Sequence, residues 1–231
     1  MENTSQKLFV IDLPDVERVA FYKKTYSHVA GGVLFFILVE YLFFQSEAII
    51  NFALSLTQGY KWLLMLGGFM FITNYSERLM LKTPDLKTQY IAYGIYIIAE
   101  AFIFIPLLFI AISYTNNFDL LNQAAIVTLS LFSGLTAIVF VTKKDFSFMR
   151  STLTIGFFIA LGLIAAGILF GFNLGLWFSV GMCALAAGSI LYQTSNLIHK
   201  YSTDQYVPAA LGLFASLMLL FWYVLSIFSR D

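Results

Sequence analysis

One cysteine, four prolines and two histidines occur in 231 residues, and charged side chains make up only 11% of the chain. A single cysteine excludes a disulfide framework and a cysteine-rich zinc site. Soluble domains carry about 25% charged residues, so the shortage of charge argues against water as the main solvent of this chain. Thirteen basic and 13 acidic residues give a formal net charge of zero, which offers nucleic acid no electrostatic footing. No glycine-rich phosphate loop occurs, so an ATP-driven pump has no support. What the chain does have is apolar mass, 60% of its residues, including 25 Phe and 13 Tyr.

About 20 apolar residues are needed to cross roughly 30 Å of hydrocarbon. Long unbroken runs of that kind point to helices, and away from the alternating segments of an outer-membrane barrel. Seven spans are read near residues 29–46, 62–76, 90–114, 120–142, 149–172, 174–197 and 206–228. The expected fold is therefore an all-α, polytopic seven-transmembrane-helix bundle, one domain over 29–231. Its second span is the shortest, because Thr73 is followed by Asn74, Ser76, Glu77 and Arg78.

Basic residues favour the cytoplasmic side of short loops. With the N-terminus inside, Lys7, Arg18, Lys23, Lys24, Arg78, Lys82, Lys87, Lys143, Lys144, Arg150 and Lys200 fall on inner segments, and only Lys61 and Arg230 fall outside. Seven spans then put the C-terminus outside, with Glu47 and Asp119 in outer loops. Residues 1–28 are polar and carry both signs of charge, unlike a cleaved signal peptide, and are expected to form a cytoplasmic segment. Within them Val16, Val19, Ala20, Tyr22 and Lys23 suit a helix along the headgroups, or a simple topology anchor.

Small residues recur at four-residue spacing in the fifth and sixth spans: Gly156 and Ala160, Gly162 and Ala166, Gly167 and Gly171, Ala184 and Gly188. Such spacing lets membrane helices approach closely, so both spans are expected to be packing-critical, the fifth more clearly. Trp62, Tyr114, Trp177, Trp222 and Tyr223 fit an aromatic belt at the outer ends.

Ionisable side chains inside spans are costly and mark functional candidates. There are two. Glu100 lies near the centre of the third span, in IIAEAFIFIP, and Glu40 lies in the outer half of the first, in FILVEYLFF. A proton relay, an ion-gating group, or a neutral acid hydrogen-bonded to a neighbouring helix each fit. Pro106 frees a carbonyl near Phe102, and the resulting bend either opens a polar pocket beside Glu100 or is purely structural. Gln123, Thr128, Ser133 and Thr136 add polar groups to the fourth span.

Several classes lack their parts. The last span has no lysine for a retinal Schiff base, and His28 and His199 both lie at inner boundaries, which removes an intramembrane zinc hydrolase or Ser–His protease. Cys183 reads as a packing residue. No enzymatic activity, cofactor or resident metal is expected.

Four segments resemble the Bax inhibitor-1 family, especially its bacterial permease-like branch: FYKKTYSHVAGG at 21–32, AEAFIFIPLL at 99–108, QAAIVTLSLFSGLTAIVFVTKKDFSFM at 123–149, and ILYQTSNLIHKYSTDQYVPAALGLFASLMLLF at 190–221. The resemblance implies six helices around a central last one, cation (chiefly calcium) leak, and in some bacterial members control of a membrane protease. It also implies a proton-sharing aspartate pair on the sixth and seventh helices. Here those positions read Gln193 and, allowing one deletion, Ser216, while the acid sometimes found at the start of the fourth span is Gln123. Gln and Ser do not titrate, so a Gln193–Ser216 hydrogen bond would close the inner neck without sensing pH. Arg78 takes the position of an arginine latch, with Glu77 or Asp204 as its available anion.

Two functions follow from the resemblance. One is a cation pathway across an inner or plasma membrane, lined by Glu100, Glu40 and Gln123 and gated by Gln193, Ser216 and Arg78. The other is a non-transporting regulator that holds a membrane protease or other membrane partner through its N-terminus and inner loops, a role that truncation of residues 1–20 would abolish. A solute transporter has less support, because no inverted repeat is visible.

Overall fold

The computed structural model describes residues 9–115 and 118–229. Lys7 and Arg230, which entered the orientation count, and the Tyr114 side chain, assigned to the aromatic belt, lie outside the described residues. The described chain is all-helical: α1 Asp15–Phe44, α2 Glu47–Ser55, α3 Lys61–Lys82, α4 Leu86–Thr115, α5 Asp119–Thr142, α6 Met149–Phe170, α7 Gly175–His199 and α8 Tyr206–Phe228. Six of them, all except α2 and α3, are long and apolar enough to cross a membrane. At 22 residues α3 is roughly 33 Å long, and its C-terminal half carries Asn74, Ser76, Glu77 and Arg78.

Two local expectations change. α1 runs unbroken from Asp15 into the first span, so residues 16–23 form no separate interfacial helix. Asp15 and Glu17 sit in its first turn, where carboxylates complement the free N–H groups, and Asp15 pairs with Arg18. The stretch read as an outer loop contains the nine-residue helix α2, too short to span.

α8 packs against α1, α3, α4, α5 and α7 and is buried along most of its length, which makes it the centre of the bundle. Phe214 is fully buried there and meets Tyr93 and Tyr96 of α4 edge-on. On the other side of the bundle α3 packs on α4 and α8, while α6 packs on α7. Ala160 is the one buried residue of α6.

The small-residue expectation is therefore half right. A Cβ on Gly156 or Gly188 would press on side chains of the neighbouring helix, Leu185 for the first and Met149 and Leu153 for the second, so α6 and α7 do approach there. Gly162 has open space around it, and the fifth span is the more peripheral of the two. Spacing alone cannot tell which face of a helix meets a neighbour. The belt also divides: Trp177 is 85% exposed, whereas Trp62 and Trp222 stack on each other and Tyr223 is buried.

Candidate functional site

α4 continues through Pro106 and holds Glu100 in the bundle at 6% exposure. Its Oε2 has no hydrogen-bond partner among the described residues. A carboxyl oxygen in that state is costly, and the residue lines a cavity of about 820 Å³ formed by α3, α4, α6, α7 and α8. Most of that wall is apolar and aromatic, from Trp62, Phe69, Phe104, Phe178 and Trp222. Two polar groups on the α3 side are already used by their own helix: the Thr73 hydroxyl donates to the Phe69 carbonyl and the Asn74 amide to the Met70 carbonyl.

A second cavity, of about 610 Å³, lies towards the helix ends that carry the basic loops. Glu77 of α3, Arg150 and Thr154 of α6, and Tyr192 and Asn196 of α7 line it. The buried Asn196 Oδ1 has no partner among the described residues. Phe157, Ser189, Gln193, Gly212 and Leu219 line both cavities and so form the neck between them.

The neck is built by the register of α7 against α8. These helices run antiparallel, so a step of four residues up one matches four down the other. Ser189 faces Ser216, with their hydroxyl oxygens 2.8 Å apart, and the Ser216 hydroxyl also donates to the Gly212 carbonyl at 2.9 Å. One turn away Gln193 faces Gly212: a Cβ there would lie 2.8 Å from the Gln193 Oε1, so the absence of a side chain is what lets the amide fit. The expected Gln193–Ser216 bond is thus replaced by Ser189–Ser216, because Gln193 stands level with residue 212. Sequence reading missed Ser189 and Gly212, although each lies one helical turn from a residue that was singled out.

Glu100, Gln193 and Ser216 therefore share one cavity wall. The other named residues do not join them. Glu40 is buried on α1, 7% exposed, with both carboxyl oxygens unpartnered among the described residues, and lines neither cavity. Gln123 and Arg78 are exposed and line neither, and the cation at the inner cavity is Arg150. Asp204 accepts from the Ser202 hydroxyl at 2.6 Å. Among the described residues no three His, Cys, Asp or Glu side chains gather to hold a metal ion.

The KKDFSF stretch is a folded turn fastened to the neck helix. Lys143 takes a left-handed conformation at the end of α5. The Ser147 N–H and hydroxyl donate to Asp145 Oδ1, and the Phe146 N–H donates to the Ser195 hydroxyl oxygen at 2.8 Å. Those bonds from Ser147 hold the Asp145 carboxyl below its usual range, with smaller help from His199 and Ser195. The Val10 N–H donates to the Tyr201 carbonyl at 2.9 Å and the Val10 side chain is fully buried, so residues 9–13 strap the α7–α8 loop.

The family model described as "Inhibitor of apoptosis-promoting Bax1" matches residues 18–231. The chain is 35% identical over 124 residues to a protein of Pseudomonas aeruginosa, 53% of this chain and 55% of that one. It is 34% identical over 110 residues to lifeguard 4 of Mus musculus, 46% of this chain and 45% of that one. To the modulator of FtsH protease YccA of Escherichia coli K12 it is 35% identical over 117 residues, 49% of this chain and 53% of that one. In each case the matched stretch spans about half the length of the relative.

Proposed function

The chain belongs to the Bax inhibitor-1 family, and on that premise we propose that it forms a narrow, non-enzymatic cation pathway across an inner membrane, N-terminus inside. The observation that carries this reading is the pair of cavities meeting at Ser189, Gln193 and Gly212, with the Glu100 carboxyl on one side and Glu77 on the other. Carboxyl oxygens at membrane depth attract cations, and the neck sets how fast they pass. One acid with a few hydroxyls and amides falls short of the six to eight oxygens calcium prefers, so the pathway is a slow, low-affinity leak. The titrating pair of the family is absent, which leaves the neck without its own pH sensor.

The deciding experiment is calcium flux into liposomes holding the purified protein. Native protein should leak, and Glu100→Gln should lower the flux several-fold with helicity unchanged. Equal flux in the two proteins removes Glu100 from the pathway, and no flux of any cation from native protein overturns the reading.

A second reading has its own support. One relative is by its name a modulator of the FtsH protease, and the strap at 9–13 ties the N-terminal segment to the α7–α8 loop, so both belong to one surface. Under that reading the protein captures a membrane protease at its cytoplasmic face and conducts nothing.

A further inference from the structure

The larger cavity is more than a widening of a pathway between α7 and α8. Its walls reach out to α3 on one side and to α6 on the other, from Phe69 to Ile164. Since α3 rests on α4 and α8 while α6 rests on α7, no close packing of α3 on α6 seals the cavity between those two helices.

The chemistry inside is uneven in a way that selects a ligand. At about 820 Å³ the cavity has the size of sites for drug-sized molecules. Its aromatic faces attract an apolar body or a cation. Its one acidic group, Glu100, keeps an oxygen buried and without a donor, and the α3 hydroxyl and amide that line the same cavity donate to backbone carbonyls of their own helix. A plain acyl chain would fill the volume and leave that oxygen unsatisfied. A phosphate or carboxylate headgroup would bring it no N–H donor.

We propose that this cavity is a bilayer-side binding site for an amphiphile that carries a protonated amine on an alkyl or aromatic body, its ammonium donating to Glu100. The site requires no ion conduction; it stands on the cavity, its side left unsealed between α3 and α6, and the Glu100 carboxyl in its wall. An amine bound there would share the cavity with the neck residues Ser189 and Gln193 and would obstruct a cation path through them.

Trp62 and Trp222 on the cavity wall report occupancy. The test uses full-length protein in nanodiscs, with the exposed Trp177 changed to Phe, and a dodecylamine bearing a nitroxide at its chain end as quencher. The alcohol and the carboxylic acid of the same chain are run beside it. The amine should quench saturably, and Glu100→Gln should weaken its binding by about tenfold, the scale of one charge-assisted hydrogen bond. Ile164→Phe with Ile168→Phe, which narrows the cavity from the lipid-facing α6, should abolish saturable quenching without touching Glu100. Equal quenching by amine, alcohol and acid, or amine binding unchanged in Glu100→Gln, overturns the proposal. Retained flux loss in that variant alongside unchanged amine binding would leave the cation pathway standing and remove this site alone.

Discussion

At the scale of single residues, the difference between Glu100 and Glu40 is one of surroundings. Both are acids inside apolar helices, both are more than nine-tenths buried, and both keep unpartnered oxygens. Of the two, only Glu100 lines either of the two cavities described above. A hydropathy profile registers the cost of each acid but contains nothing about empty space beside it, so the two looked alike until neighbouring helices were in place. Asp145 shows the opposite case, an exposed acid with a defined job. Hydrogen bonds from Ser147 hold its carboxyl below the ordinary value, so its contribution to stability is fully present above that ordinary value and fades as pH falls through the lower folded one. The native protein should therefore lose thermal stability in detergent on going from about pH 5 to pH 3, and Asp145→Asn should flatten that slope while lowering the melting temperature at neutral pH. Parallel slopes for the two proteins would take Asp145 out of the acid transition.

At the scale of elements, the register of α7 on α8 decides what touches what in the neck. Motif position paired Gln193 with Ser216; the antiparallel packing pairs Ser189 with Ser216 and Gln193 with Gly212. Two carboxyls in contact share a proton, and two separated by a helical turn interact far less. Ser189→Asp with Ser216→Asp should thus add a pH dependence to calcium flux between about pH 5 and 8, and Gln193→Asp with Ser216→Asp should add much less. The reverse order would mean that the helices pair one turn out of the described register. The small-residue stripes of α6 and α7 teach a related lesson. Gly156 and Gly188 meet side chains of the facing helix and Gly162 meets nothing, because a four-residue repeat marks a stripe on a helix without saying which way the stripe points.

At the scale of the whole molecule, stability rests on the buried α8 and very little on α6. Phe214 on α8 is enclosed, so truncating it leaves a cavity that neighbouring helices cannot fill. Phe214→Ala should cost about 3 kcal/mol and lower the thermal midpoint clearly. Phe158→Ala on α6, where the ring is 66% exposed to the surroundings, should change it little, because acyl chains replace the lost contacts. Comparable losses at both sites would contradict a bundle organised around its last helix.

The sequence by itself determined the solvent, the helical class and the family: apolar runs of membrane length are a property of the chain that no packing can alter, and the motifs at 21–32, 123–149 and 190–221 carry the kinship. It also pointed to Glu100, Gln193 and Ser216, which do share a wall. Only the tertiary structure decided that Arg78, Gln123 and Glu40 stand apart from that wall, that Arg150 faces the inner cavity, that α2 exists between the first two long helices, and that Trp62 and Trp222 turn inward. The reason is physical. Crossing a bilayer depends on transfer free energy summed along one helix, which composition supplies, whereas a cavity, a neck and a partner for a hydroxyl depend on the rotation and register of several helices against each other, which arise only when they pack.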